Sequence, residues 1–123
     1  MRNMSFAFTT DQILAGTKTV TRRVGWLRLM PGDLIRPVRK SMGLRRGQRI
    51  EPIRGPLRVL SVRRERLSAL LEDVDYGFAE TTAEGFPSTS EKHWPSVFVE
   101  FFCATHNCRP TDMVTRIEFE YPP

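Results

Sequence analysis

The chain has little with which to build a covalent or metal-held framework. Its only cysteines are Cys103 and Cys108, too few for the disulfide lattice that holds small secreted domains together. Histidine is equally scarce, with His93 and His106 alone. Cys103, His106 and Cys108 form a C-x-x-H-x-C run carrying three soft ligands, whereas a structural zinc site normally takes four. The expectation is two reduced thiols beside a loop histidine, with no metal and no cofactor. Apolar runs are short: none approaches the roughly 18 residues of a membrane span. The start, Met1 to Phe8, lacks the apolar core of a secretory signal, so a cytoplasmic protein with no membrane partner is expected. Internal repeats and low-complexity tracts are missing as well.

Acidic charge is nearly absent from the first half. Through Arg66 the sequence carries sixteen Lys/Arg and four Asp/Glu; from Leu67 onward it carries three and ten. The two parts have formal charges of +12 and −7, leaving the net +5. A basic part of this kind suits a polyanion, most commonly nucleic acid, while an acidic remainder excludes a uniform histone-like coat of charge. RNA, a nucleoside or a nucleotide is the expected partner; oligomeric state is left open. At 123 residues, 40% hydrophobic and 27% charged, the chain reads as a single domain over 1–123, able to bury a core without staples.

The densest stretch is Gly16-Thr17-Lys18-Thr19-Val20-Thr21-Arg22-Arg23, with three threonines, a lysine and an arginine pair in eight residues. A short strand is predicted before it, over Met4 to Phe8. Thr9-Thr10-Asp11-Gln12 resembles a capping box, opening a short helix through Ala15 that Gly16 ends. Lys18 to Arg23 alternates with β-forming residues, which places the lysine where helix hands over to strand. Met30-Pro31-Gly32-Asp33 is a turn with Asp33 capping it. Leu34 to Lys40 is a strand that Pro37 should confine to an edge or a bulge.

Residues 42 to 56, rich in glycine, proline and arginine, read as a basic loop, with Gly43 supplying a tight or left-handed turn. Leu57 to Val62 is another strand, and a helical pattern begins at Arg66 and ends near Glu84-Gly85. Trp94, Val97, Phe98, Phe101 and Phe102 recur at helical spacing within residues 88 to 104. Their stripe is expected to face the core, Trp94 included, with Pro95 in the first turn. Arg116 to Tyr121 alternates cleanly as a final strand. The elements do not alternate as βαβ units, which disfavours a doubly wound parallel sheet. The predicted class is α+β: a small, mostly antiparallel barrel with two or three flanking helices.

Taken in order, the Gly16–Arg23 run, Pro31-Gly32-Asp33, Glu84-Gly85-Phe86 and the closing aromatic helix and strand resemble the ASCH-domain family over nearly the whole chain. The resemblance implies a PUA-like β-barrel and an association with RNA. Some bacterial members are amidohydrolases that deacetylate acetylated cytidine, others are described as nucleases, and many have no known activity. In the amidohydrolase branch the catalytic set is a lysine and a threonine in K-x-x-T plus a later glutamate. The resemblance thereby implies Lys18, Thr21 and Glu84, with Glu80 as the alternative glutamate. The longer basic loop and longer aromatic helix depart from that branch and point to a bulkier substrate or a binding role.

Amide hydrolysis needs a nucleophile, a proton acceptor and a donor for the oxyanion. Thr21 can supply the hydroxyl. Lys18 serves as base only if burial or neighbouring cations such as Arg22 and Arg23 pull its pKa down from about 10.4. Glu84 can protonate the leaving amine or hold Lys18, although a tight pair would raise the lysine's pKa. Residues three apart on a regular strand face opposite ways, so the mechanism requires Lys18 to sit in the bend after Gly16. The rival class is a non-catalytic RNA-binding module, or a metal-independent ribonuclease, using the same basic cleft. For that role Arg22, Arg23, Arg39 and Lys40 are candidate phosphate contacts, ion pairing with the acidic half being their alternative. Trp26 is a candidate base-stacking residue, with core packing as its alternative.

Overall fold

The C-terminal alternation organises the sheet. It forms β5 (Met113–Glu120), which pairs antiparallel with β4 (Leu57–Arg66) on one side and with β2 (Val20–Arg23) on the other. β3 (Leu34–Val38) continues antiparallel from β4, and β1 (Arg2–Ser5) lies parallel to β3 at the far edge. The computed structural model describes residues 1–40 and 43–123; Met42, where the basic loop is expected to begin, lies outside them. The sheet order is β1-β3-β4-β5-β2. Among the described residues β1 and β2 do not pair, so the sheet is open and the barrel does not close. Both edge strands are four residues long, short for the tilt and stagger that closure demands.

Among the described residues four α-helices, rather than two or three, cover this mixed sheet. The first, α1 (Thr10–Ala15), ends at Gly16 in the left-handed region, φ 74°. Its capping box does not form: Thr9 is buried and makes no side-chain cap, while Thr10 Oγ1 donates to the Phe6 carbonyl instead. The helical pattern from Arg66 splits into α2 (Ala69–Glu72) and α3 (Val74–Ala83), because Asp73 is extended and its carboxylate accepts from the Tyr76 amide. After a 3-10 turn at Glu91–His93 comes α4 (Pro95–His106), with Pro95 in the first turn as its missing N–H allows. Among the described residues no helix is long and apolar enough to cross a membrane.

The expected turn at residues 30 to 33 is present: the Asp33 amide donates to the Met30 carbonyl, and its carboxylate accepts from the Met30 amide. Pro37, however, is not on an edge. β3 is internal, and Pro37 falls beyond Ile35, where the β3–β4 ladder has already ended. Pro37 neighbours Met4 of β1 on one side, and on the other its carbonyl accepts from the Ile53 amide.

Two apolar clusters hold the layers together. Met4, Phe6, Ile13, Ile35, Leu57 and Phe119 join the sheet to α1; Leu70, Phe86, Phe98, Val99, Phe102 and Val114 join it to α2 and α4. Each fully buried aliphatic or phenyl side chain contributes about 1.5–3 kcal/mol. Of the expected stripe, Phe98 and Phe102 face the core, Phe101 is partly buried, and Val97 and Trp94 are exposed. Trp94 precedes the first helical turn, in extended geometry, and is 58% exposed with its edge against Phe78. It leaves the stripe because helical periodicity has not yet begun.

Candidate active site

Gly16 sets the geometry on which the site depends. After α1 the amides of Thr17 and Lys18 both donate back to the Gln12 carbonyl, and regular strand pairing starts only at Val20. Lys18 thus occupies the bend, and its side chain and that of Thr21 line one cleft despite their spacing. The bend is held from three sides. Tyr121 Oη donates to the Lys18 carbonyl at 2.6 Å, the Thr19 amide donates to the Ala83 carbonyl, and the Phe119 amide to the Thr19 carbonyl. Gly85, at φ 104°, lets the end of α3 approach; a Cβ there would lie 2.9 Å from Gln12 Cγ and 3.3 Å from Lys18 Cβ.

Glu84 follows α3 directly and meets Lys18. Lys18 Nζ donates to both the Glu84 backbone carbonyl and Oε1, each at 2.8 Å, and both residues are buried. Burial lowers the Lys18 pKa, against the opposing charge and hydrogen bond of Glu84, and the direction remains downward. The pairing raises the lysine's proton affinity as expected, but loss of solvent outweighs it.

Arg22 does not reach into solvent for phosphate. Its guanidinium is buried, with Nη1 donating to Glu84 Oε2 at 3.0 Å and Nη2 to Glu80 Oε1 at 2.6 Å and Glu65 Oε1 at 2.7 Å. Burial opposes its charge, but the three carboxylates win and raise its pKa. Glu80, the alternative glutamate, belongs to this structural network: Arg116 donates to it from Nε and from Nη2. Burial pushes Glu80 upward, yet Arg116 and Arg22 pull it down to about 2. Tyr76 Oη completes the group by donating to Glu65 at 2.8 Å. Sequence reasoning missed Glu65, Tyr76 and Arg116, since β4, α3 and β5 bring them to β2 from distant positions.

The remaining binding candidates separate. Arg23 stays in the cleft, its Nε donating to Thr21 Oγ1 at 3.2 Å and its guanidinium 4.8 Å from the Phe6 ring centre. Arg39 and Lys40 line a different depression with Gln48, Arg49 and Glu51, and Arg39 Nε lies 3.5 Å from Glu51. Trp26, at φ 63°, packs against the core and carries the Arg2 guanidinium 3.9 Å from its ring centre, so that one face of the ring is covered. Arg54, within the basic loop, donates to the Ile13 and Leu14 carbonyls and stacks on Tyr121. It completes the end of α1 instead of presenting charge.

The cleft has a cavity volume of about 80 Å³ and opens to solvent. Phe6, Phe8, Phe86, Phe98, Phe101 and Phe102 wall it above the polar floor of Lys18, Thr21, Arg23 and Glu84. Cys103 and Cys108 have sulfurs 3.9 Å apart, while His106 turns Nδ1 toward the Phe102 carbonyl and stacks on that ring. No group of three or more metal-ligating side chains occurs among the described residues.

A buried Lys–Glu pair under aromatic walls thus lies on the open mixed sheet of an α+β protein. No family model and no curated protein matches the sequence. Two solved structures are similar to it. One is an ASCH domain from Lactobacillus crispatus JV V101, with TM-score 0.61 and 19% identity, covering 97% of this chain and 77% of that one. The other is a protein of Enterococcus faecalis V583 assigned to DUF984, with TM-score 0.58, 17% identity and the same coverage. The chain has the fold of an ASCH domain.

Proposed function

We propose that this is an ASCH-family protein associated with RNA or its nucleosides, and that it hydrolyses the acetyl amide of an acetylated cytidine. The observation that carries the reading is the buried Lys18–Glu84 pair beside Thr21 in an aromatic cleft. A pyrimidine ring stacks on phenyl walls, and its exocyclic amide then lies toward the polar floor. Lys18 has a lowered pKa, which suits a base operating nearer neutrality. Thr21 is the nucleophile. The Arg23 Nε that donates to its oxygen favours the alkoxide form as the proton leaves. Glu84 orients Lys18 and relays the proton to the departing amine, after which a water attacks the acetyl-threonine ester, releasing acetate and restoring the Thr21 hydroxyl.

The supporting test is turnover of acetylated cytidine by the wild-type protein and by Lys18→Ala and Thr21→Ala. Loss of turnover in both variants, with the fold retained, is expected; undiminished deacetylation by either would overturn the assignment.

A second reading, RNA binding without catalysis, is favoured by one contact. Among the described residues the Thr21 hydroxyl is hydrogen-bonded to Arg23 and not to Lys18. This reading predicts RNA affinity that falls steeply with salt, because phosphate neutralisation releases counterions. Affinity independent of salt would dismiss it.

A further inference from the structure

The cations around the cleft have been paired off with one exception. Lys18 is matched to Glu84, Arg22 to Glu84, Glu80 and Glu65, and Arg116 to Glu80. Three of these four cations thus share three carboxylates, and Arg23 is the one with no ion-pair partner among the described residues. Only its Nε is engaged, by the neutral Thr21 hydroxyl. Its guanidinium packs on Phe6 and lines the cleft, and its Nη donors have no protein acceptor among the described residues. An uncompensated, half-buried guanidinium is costly to fold unless something binds it. Burial has lowered its pKa to about 10, and the nearby Glu84 charge offsets only part of that.

Resting on the reading above and narrowing it, we infer that the ligand of this cleft carries a phosphate, held by Arg23, together with its base. The two ends of the pocket then match the two ends of a nucleotide. Phenyl rings take the planar base, and a planar fork of N–H donors takes phosphate oxygens in a bidentate way. A neutral nucleoside would fill the aromatic part and leave the Arg23 charge unanswered.

Binding can be measured by calorimetry with probes that carry no acetyl group: cytidine, its 5′- and 3′-monophosphates, and the dinucleotide CpA. One of the phosphate-bearing probes is expected to bind about tenfold or more tightly than cytidine, as a charge-assisted contact provides. In Arg23→Gln the ratio of phosphorylated-probe to cytidine affinity should fall below about twofold, and Arg23→Lys should retain part of it. An advantage shared by CpA places a phosphodiester, and so RNA, in the cleft. One confined to a monophosphate places a free nucleotide there; both support the role of Arg23. Equal affinity for cytidine and every phosphorylated probe, absence of binding by any of them, or an advantage that survives in Arg23→Gln would overturn it. Failure to deacetylate leaves these outcomes unaffected, so the two readings fail separately.

Discussion

Glu84 holds Lys18 twice: Nζ donates at 2.8 Å both to its backbone carbonyl and to its carboxylate. One acceptor is neutral and independent of the side chain; the other carries the charge that opposes the effect of burial. Glu84→Gln therefore keeps the lysine in place and removes that opposition. The expected outcome is a further fall in the Lys18 pKa, measured by NMR titration of its side chain. If Lys18 is the base, the acid limb of the pH–rate profile moves to lower pH with it. A rise in either quantity would contradict the assignment.

Thr21 can be tested without disturbing its volume. Thr21→Val should reduce kcat for acetylated cytidine by about 10²-fold or more, with thermal melting showing a retained fold. Thr21→Ser, which keeps the hydroxyl, should preserve measurable turnover. Equal activity in the Val variant would remove Thr21 as nucleophile.

The Glu80 network makes a claim about acid stability. Its folded-state pKa is depressed from 4.5 to about 2, so its stabilising contribution is fully present above about pH 4.5. That contribution, roughly 3 kcal/mol, is lost as pH falls toward about 2. Glu80→Gln should cost about 3–5 kcal/mol near neutral pH, because it strips charge from a buried group between two arginines. The gap between wild type and variant should narrow as pH falls from about 4.5 toward 2, where the folded-state Glu80 carboxylate also takes up its proton and both side chains are neutral. Urea unfolding at several pH values measures it, and a gap constant from pH 7 to pH 2 would refute the role.

Gly85→Ala should destabilise the protein by about 1–3 kcal/mol. The left-handed φ is unfavourable for alanine, and the new Cβ meets Gln12 and Lys18. Since the crowding falls on Lys18 itself, its NMR titration should shift as well. Stability loss with an unchanged Lys18 titration would separate backbone strain from the site.

Much of the local structure was legible because its causes are local. Gly16 ends α1, Pro95 opens α4, and the alternation from Arg116 onward becomes β5. The condition that Lys18 lie in the bend follows from that glycine and is met. Barrel closure was not legible, since it depends on whether the two four-residue edge strands can reach one another. Trp94 misled because helical spacing was extended one residue before the helix begins.

By itself the sequence determined the order of elements and the excess of positive charge before Arg66, while Lys18, Thr21 and Glu84 were singled out by a family resemblance. Tertiary structure decided what those charges do. Arg22 and Arg23 are neighbours with the same side chain, yet successive strand residues face opposite ways. One is neutralised by carboxylates 43 to 62 residues away; the other lies in the cleft without one. A charge count registers both equally. Only the folding of β4 and α3 around β2 assigns the carboxylates to Arg22 and leaves Arg23 facing the cleft.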